Sequence, residues 1–283
     1  MEIIQNKTFP RERDLYAARG VWLKNCRFDG AEDGESALKE ARDVRLSGCY
    51  MNLRYPLWHD NNVRLEDTEM TENCRAALWY TCGADIRKSR MHGIKAVREC
   101  ADVRISDTEI ISPEFGWKSE NLSLENCKIV SEYLFLLSSG IIMRGTDFKG
   151  KYSFQYVRDV VIEDCVLDTK DAFWHAKNVT VKNSVVKGEY LGWYSENLTF
   201  INCKIIGTQP LCYCKNLRLV NCETEGTDFS FEYSDVDAEI KGAILSEKNP
   251  RSGKITAASI GEVIITPDSK YACNCEIIQT DAA

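Results

Sequence analysis

Few side chains in this 283-residue chain are typed and spaced for chemistry. The three histidines are His59, His92 and His175. His175 is the best placed, with Asp171 four residues before it and Tyr156 and Tyr194 nineteen residues to either side. An imidazole there suits a general acid or base, or a hydrogen-bonding group among rings; a surface histidine in an aromatic row is the plainer alternative. On a strand, Asp171 and His175 would stand about 13 Å apart, too far for the carboxylate to orient the imidazole as in a triad. A glycosidase needs two carboxylates about 5–9.5 Å apart, and the nearby acids Glu99, Glu114, Asp171 and Glu232 are mostly several repeats apart. Glu99 lies nineteen residues before Lys118, and Lys95 nineteen before Glu114, which reads as cross-repeat ion pairing. His175 and Asp171 remain weak catalytic candidates, and whether the protein is an enzyme is left open.

Rings are the more abundant resource. Tyr133, Tyr152, Tyr156, Phe173, His175, Tyr190, Tyr194 and Tyr213 recur at related positions and form the candidate ligand-binding set, with Phe135 and Phe154 in the same columns. The thirteen cysteines are less promising. Cys26, Cys49, Cys127, Cys165, Cys203 and Cys222 share one repeat position where Ser and Thr also occur, the pattern of small inward side chains. The pairs Cys212/Cys214 and Cys273/Cys275 have no histidine at ligand spacing, so no metal site and no cofactor is expected.

The elements that must position these residues come from a repeat. Val103 to Asp235 reads as seven nineteen-residue units: VRISDTEI from Val103, LSLENCKI from Leu122, IIMRGTDF from Ile141, VVIEDCVL from Val160, then rows from Val179, Leu198 and Leu217. Counting each row start as zero, positions 0 and 2 are apolar, positions 4 and 18 are Asn, Asp or Gly, and position 9 is often Gly. These residue types tolerate left-handed backbone and mark bends, so each row holds three short strands. Such strands bury a face only by stacking, which predicts an all-β, single-stranded parallel β-helix with one row per coil. A left-handed coil is usually built from about three similar hexapeptides; three dissimilar strands favour the right-handed form.

One elongated domain over 1–283 is expected: an N-terminal cap over 1–20, about twelve coils over 21–243, and C-terminal strands and cap over 244–283. EIIQNKTF is read as a first strand and Glu12 to Arg19 as a helical turn. The insert AEDGESALKEAR is read as a second helical turn, and the QTDAA tail as frayed. Ile255 to Thr266 reads as a last strand pair and Tyr271 to Gln279 as an edge strand. On the third strand the even positions, with Trp58, Trp79, Trp117, Trp174 and Trp193 at position 14, look inward; the odd positions, with the tyrosines and His175, then face solvent. The reverse assignment would expose the tryptophans instead. A contiguous exposed aromatic face needs an explanation.

A net charge of −7 without a basic stripe argues against nucleic-acid or anionic-membrane partners. MEIIQNKTF lacks the features of a signal peptide, which places the protein in the cytoplasm.

GESALKEARDV after Asp33, TKDAFWHAKNVTV from Thr169, GEYLGWYSENL from Gly188, GTQPLCYCKNL from Gly207 and FEYS from Phe231 carry a resemblance over nearly the whole chain. They resemble an uncharacterised bacterial family, a domain of unknown function with a pectin-lyase-like right-handed parallel β-helix. The resemblance implies that fold and a bacterial cytosolic setting, and no activity or catalytic residues. Three readings follow for the aromatic face. It binds a carbohydrate or glycoconjugate, with or without catalysis; it is a homo-oligomer interface of a structural scaffold; or a terminal segment covers it.

Overall fold

A computed structural model describes residues 1–31 and 34–280. The described residues hold strands, turns and bends and no helix. The chain divides into two compact units, Met1–Asp147 and Phe148–Ala283. Each is a parallel β-solenoid, and the repeat sets the stacking. In the second unit Val160 pairs with Val179 and Val179 with Leu198, while Ile162, Val181 and Phe200 pair in the same order. These position-0 and position-2 side chains are buried. Leu167, Val186 and Ile205 do the same on the second strand. In the first unit Val44, Val63, Ala84, Val103 and Leu122 form the equivalent column.

The bends between strands hold their left-handed residues in columns. Asn178, Asn197 and Asn216 have φ of 55°, 56° and 51°. Each side-chain amide donates to the coil before it: Asn216 to Asn197 at 2.7 Å, Asn197 to Asn178 at 2.9 Å, and Asn178 to the Asp159 carboxylate at 2.9 Å. A chain of amides ending on a carboxylate is polarised in one direction, so each bond strengthens the next. The cysteine column is buried as expected, and among the described residues none of its sulfurs is in a disulfide. Cys203 Sγ, for example, donates to the Val181 carbonyl of the preceding coil at 3.4 Å.

The third side of the coil departs from the sequence expectation. In the first unit it is a strand of two residues: Leu57–Trp58, Leu78–Trp79 and Val97–Arg98 pair in parallel, as do Glu114–Phe115 and Tyr133–Leu134. In the second unit it is a run of turns in which alternate residues have positive φ, as in Asp171 (51°), Phe173 (63°) and His175 (54°).

Glu2–Gln5 is a first strand paired with Val21–Lys24. The segments read as helical turns are non-helical: residues 12–17 and 37–40 form turns. Residues 32 and 33 of the insert, and 281–283 of the QTDAA tail, lie outside the described residues. The last coils lengthen into Asp235–Lys248 and Ser252–Ile264, and Asn274–Gln279 pairs with Ser252–Ala257.

Candidate ligand-binding face

Consecutive third segments of the second unit are joined by one repeated hydrogen bond. The N–H at position 15 donates to the position-14 carbonyl of the next coil: Tyr156 to Trp174 at 2.8 Å, His175 to Trp193 at 2.9 Å, Tyr194 to Cys212 at 3.2 Å and Tyr213 to Glu232 at 2.7 Å. That bond holds the left-handed residues in place and brings each position-15 ring over its predecessor. Tyr156 and His175 stack at 4.8 Å and 10°, His175 and Tyr194 at 5.1 Å and 8°, Tyr194 and Tyr213 at 4.7 Å and 13°. Tyr233 continues the column, tilted by 52° at 5.7 Å from Tyr213.

These rings are accessible. Tyr156 is 49% and Tyr194 48% exposed, His175 is exposed, and Tyr213 is half-buried. Because neighbouring planes are nearly parallel, ring faces are turned to one another. What meets solvent is ring edges and polar tips: phenol hydroxyls and imidazole nitrogens. The C-terminal segment meets the column at its last rung, where Tyr271 packs edge-on against Tyr233 at 5.3 Å and the Lys270 N–H donates to the Tyr233 hydroxyl at 3.3 Å.

The alternation expected on this side fails, because residues with φ near +55° do not point to opposite faces in turn as strand residues do. Phe173 is therefore a correction to the candidate set. It is fully buried, stacked on Phe154 at 5.1 Å and edge-on to Phe200 at 6.2 Å. Phe135 and Phe154 at the same position are buried too. The tryptophans expected inside are half-exposed. Trp174 and Trp193 stack at 5.5 Å and 7° beside the ring column, and their indole N–H groups donate to the Tyr190 and Gln209 carbonyls at 2.6 and 2.9 Å. Tyr190 packs edge-on against Trp193, and Tyr152 is half-buried at the equivalent position. Tyr133 belongs to the first unit, edge-on to Trp117. The structure thus brings together Tyr156, His175, Tyr194 and Tyr213, with Tyr190 alongside. It adds Tyr233, which the regular count missed because the register has slipped by one residue by Asp228, and Tyr271 of the C-terminal segment; FEYS was the available signal for Tyr233.

Asp171 does not reach His175. Its side chain is buried, burial raises its carboxyl above the usual range while the Lys170 ammonium partly offsets this, and among the described residues it has no hydrogen bond to the imidazole. Tyr213 is pushed up to about 12 by burial and by the nearby Glu232 carboxylate, which is held by Lys248 at 2.9 Å. Along the flank of the column Lys177 pairs with Glu196 at 3.2 Å and Arg251 with Asp235. Lys95 and Glu114 pair at 3.6 Å in the first unit, and Glu99 pairs with Arg98 at 3.0 Å. Among the described residues no cluster of three or more His, Cys, Asp or Glu is placed to hold a metal ion, and no helix is long and apolar enough to cross a membrane.

Residues 2–278 match the family described as "Protein of unknown function (DUF3737)". The chain belongs to that family. No curated protein matches this DUF3737 sequence. Among solved structures it is similar to PfbA, a surface adhesin of Streptococcus pneumoniae, at 10% identity and a TM-score of 0.42, over 78% of this chain and 72% of that one. It is also similar to HetL, a pentapeptide repeat protein of Nostoc sp. strain PCC 7120, at 10% identity and 0.29, over 78% and 92%. A mutant of the periplasmic alginate epimerase AlgG gives 10% and 0.26, over 92% and 76%.

Proposed function

We propose that this DUF3737 chain binds a saccharide along the ring column of its second unit, with Tyr156, His175, Tyr194 and Tyr213 as the contacts. One observation carries the reading: the rings spend their faces on each other and offer solvent a row of hydroxyl and imidazole tips, one per coil, about 4.8 Å apart. A polyhydroxy ligand can exchange hydrogen bonds with every tip and lay its apolar C–H faces against the ring edges. A homo-oligomer interface would instead favour exposed apolar faces at its core. The Trp174–Trp193 stack, with Tyr190 edge-on to Trp193, lies beside the column.

The test is thermal unfolding of the purified protein with neutral, amino- and uronic-acid oligosaccharides, beside Tyr194→Ala and His175→Ala. A ligand at about a hundredfold its Kd adds about 2.7 kcal/mol to folded-state stability, a rise of several degrees for a chain of this size. The reading expects that rise in the wild type and its loss in both variants. It fails if no saccharide shifts the wild type, or if the shift survives both substitutions. A dimer that separates on Tyr156→Arg would return the face to the interface reading.

A further inference from the structure

The Trp-His over Trp-Tyr arrangement of the second unit occurs a second time in the chain. In the first unit Trp58 and His59 occupy positions 14 and 15 of one coil, and Trp79 and Tyr80 those of the next. The geometry repeats closely. Trp58 and Trp79 stack at 5.5 Å and 13°, against 5.5 Å and 7° for Trp174 and Trp193. His59 and Tyr80 stack at 4.9 Å and 16°, against 5.1 Å and 8° for His175 and Tyr194. The same backbone bond sets the register: the His59 N–H donates to the Trp79 carbonyl at 2.9 Å, as that of His175 does to Trp193. His59 is exposed and Tyr80 is 42% exposed, so these tips also face solvent.

We propose that Trp58, His59, Trp79 and Tyr80 form a second saccharide site, built for a shorter and uncharged ligand than the first. The inference rests on the saccharide reading of the second unit's column. Length is limited by what brackets the rings. Position 15 is Glu40 in the coil before and Glu99 in the coil after, and position 14 is Lys39 and Arg98. Lys39 Nζ lies 4.0 Å over the Trp58 ring, and Arg98 pairs with Glu99 at 3.0 Å. Glu40 accepts the Tyr16 hydroxyl at 2.6 Å. Glu99 accepts the Tyr80 hydroxyl, which fixes that tip's orientation and raises its pKa. Each end therefore presents one cation and one carboxylate, which leaves a two-rung patch with no net charge at either end to hold an ionic ligand. The base of the patch differs as well. The indole N–H groups of Trp58 and Trp79 are buried with no acceptor among the described residues, where those of Trp174 and Trp193 are bonded to carbonyls.

The experiment is a calorimetric titration of the full chain with cello- and chito-oligosaccharides of two to six sugars. The wild type is compared with His59→Ala/Tyr80→Ala, with His175→Ala/Tyr194→Ala and with the four-fold variant. His59→Phe, which keeps the stack and removes the polar tip, guards against a folding defect. The expected result is two sites per wild-type chain, one in each double variant and none in the four-fold variant. The site left in His175→Ala/Tyr194→Ala holds the disaccharide as tightly as the hexasaccharide. The site left in His59→Ala/Tyr80→Ala weakens about tenfold when the ligand is shortened, as lost hydrogen-bonding rungs require. One wild-type site, untouched by His59→Ala/Tyr80→Ala and His59→Phe, overturns this inference and leaves the proposed function standing. Absence of binding by every form overturns both. A single site lost only with His59 and Tyr80 upholds this patch and overturns the first.

Discussion

Asparagine in place of Asp60 should free the protein of a stability loss that accumulates between about pH 4 and about pH 8. Asp60 is 2% exposed, and its Oδ1 accepts the Ala41 N–H at 2.9 Å while Oδ2 is buried with no partner among the described residues. Other coils meet the equivalent N–H with a hydroxyl: Ser119 accepts the Cys100 N–H at 3.1 Å and Ser234 the Cys214 N–H at 2.9 Å. Burial pushes the Asp60 carboxyl from its ordinary 3.8 up to about 8, against the lowering effect of its backbone hydrogen bonds. The folded state thus holds a proton that the unfolded chain releases near pH 4. Native protein binds more protons than unfolded between those values, so stability is full below about pH 4 and falls as pH rises towards about 8. At about 1.4 kcal/mol per pH unit, the interval from about pH 5 to 8 is worth roughly 4 kcal/mol. That is an upper bound, because local opening lets water reach an ionised carboxylate. Asp60→Asn keeps the acceptor for Ala41 and cannot ionise. In urea unfolding at about pH 5 and pH 9, the wild type should lose at least about 1 kcal/mol more than Asp60→Asn between the two conditions. Profiles that run parallel within about 0.5 kcal/mol would refute the buried, neutral carboxyl.

Glu247 offers a second case with the same sign. It is fully buried with both carboxylate oxygens unpartnered among the described residues, and desolvation raises it from 4.5 to about 7. Glu247→Gln should flatten the stability profile between pH 4.5 and 7, and amide hydrogen exchange over Asp235–Lys248 at about pH 5 and 8 reports where the effect lies. Phe173→Ala should cost about 3–5 kcal/mol as a cavity beside Phe154 and Phe200. Tyr194→Ala, on the exposed column, should cost less than half as much, and denaturant midpoints of the two variants check the ranking. Asp159→Ala removes both the acceptor that ends the amide column and a residue suited to φ of 58°, at about 1–2 kcal/mol. Asp159→Gly, which relieves only the backbone strain, should recover part of that loss in the same assay.

Most of the fold could be read from residue types at fixed spacing. Val160, Val179 and Leu198 stack because a nineteen-residue row returns an apolar side chain to the same place, and Asn178 to Asn216 bend the chain because asparagine tolerates left-handed backbone. The third side resisted that reading. Its sequence, KDAFWHA from Lys170, alternates apolar and polar residues no more clearly than a turn does, and parity is a strand rule. With Asp171, Phe173 and His175 all left-handed, Phe173 goes into the core and His175 out to water although both occupy odd positions. The ring column was legible as a set of tyrosines nineteen apart, but the mutual shielding of ring faces was not, since it depends on angles between planes rather than on composition. At Trp58 to Tyr80 the tryptophans could be aligned once the two extra residues of that row were allowed for, but the ring pair His59 and Tyr80 at the next position, 21 rather than nineteen residues apart, was not picked out.

A column that gains one ring with every coil behaves as a ruler. Val179 to Asn197 is one complete coil, entered from a left-handed Asn178 and left through a left-handed Asn197. Duplicating or deleting such a segment joins equivalent bends and returns the next row to its register, so the core is preserved while the column changes by one rung. The length of the exposed ring column is therefore adjustable in genetic steps of one coil, without redesign of any stacking contact. The same arithmetic makes a single-residue insertion costly and a whole-coil insertion cheap, which sets the size of change by which related chains can differ in column length.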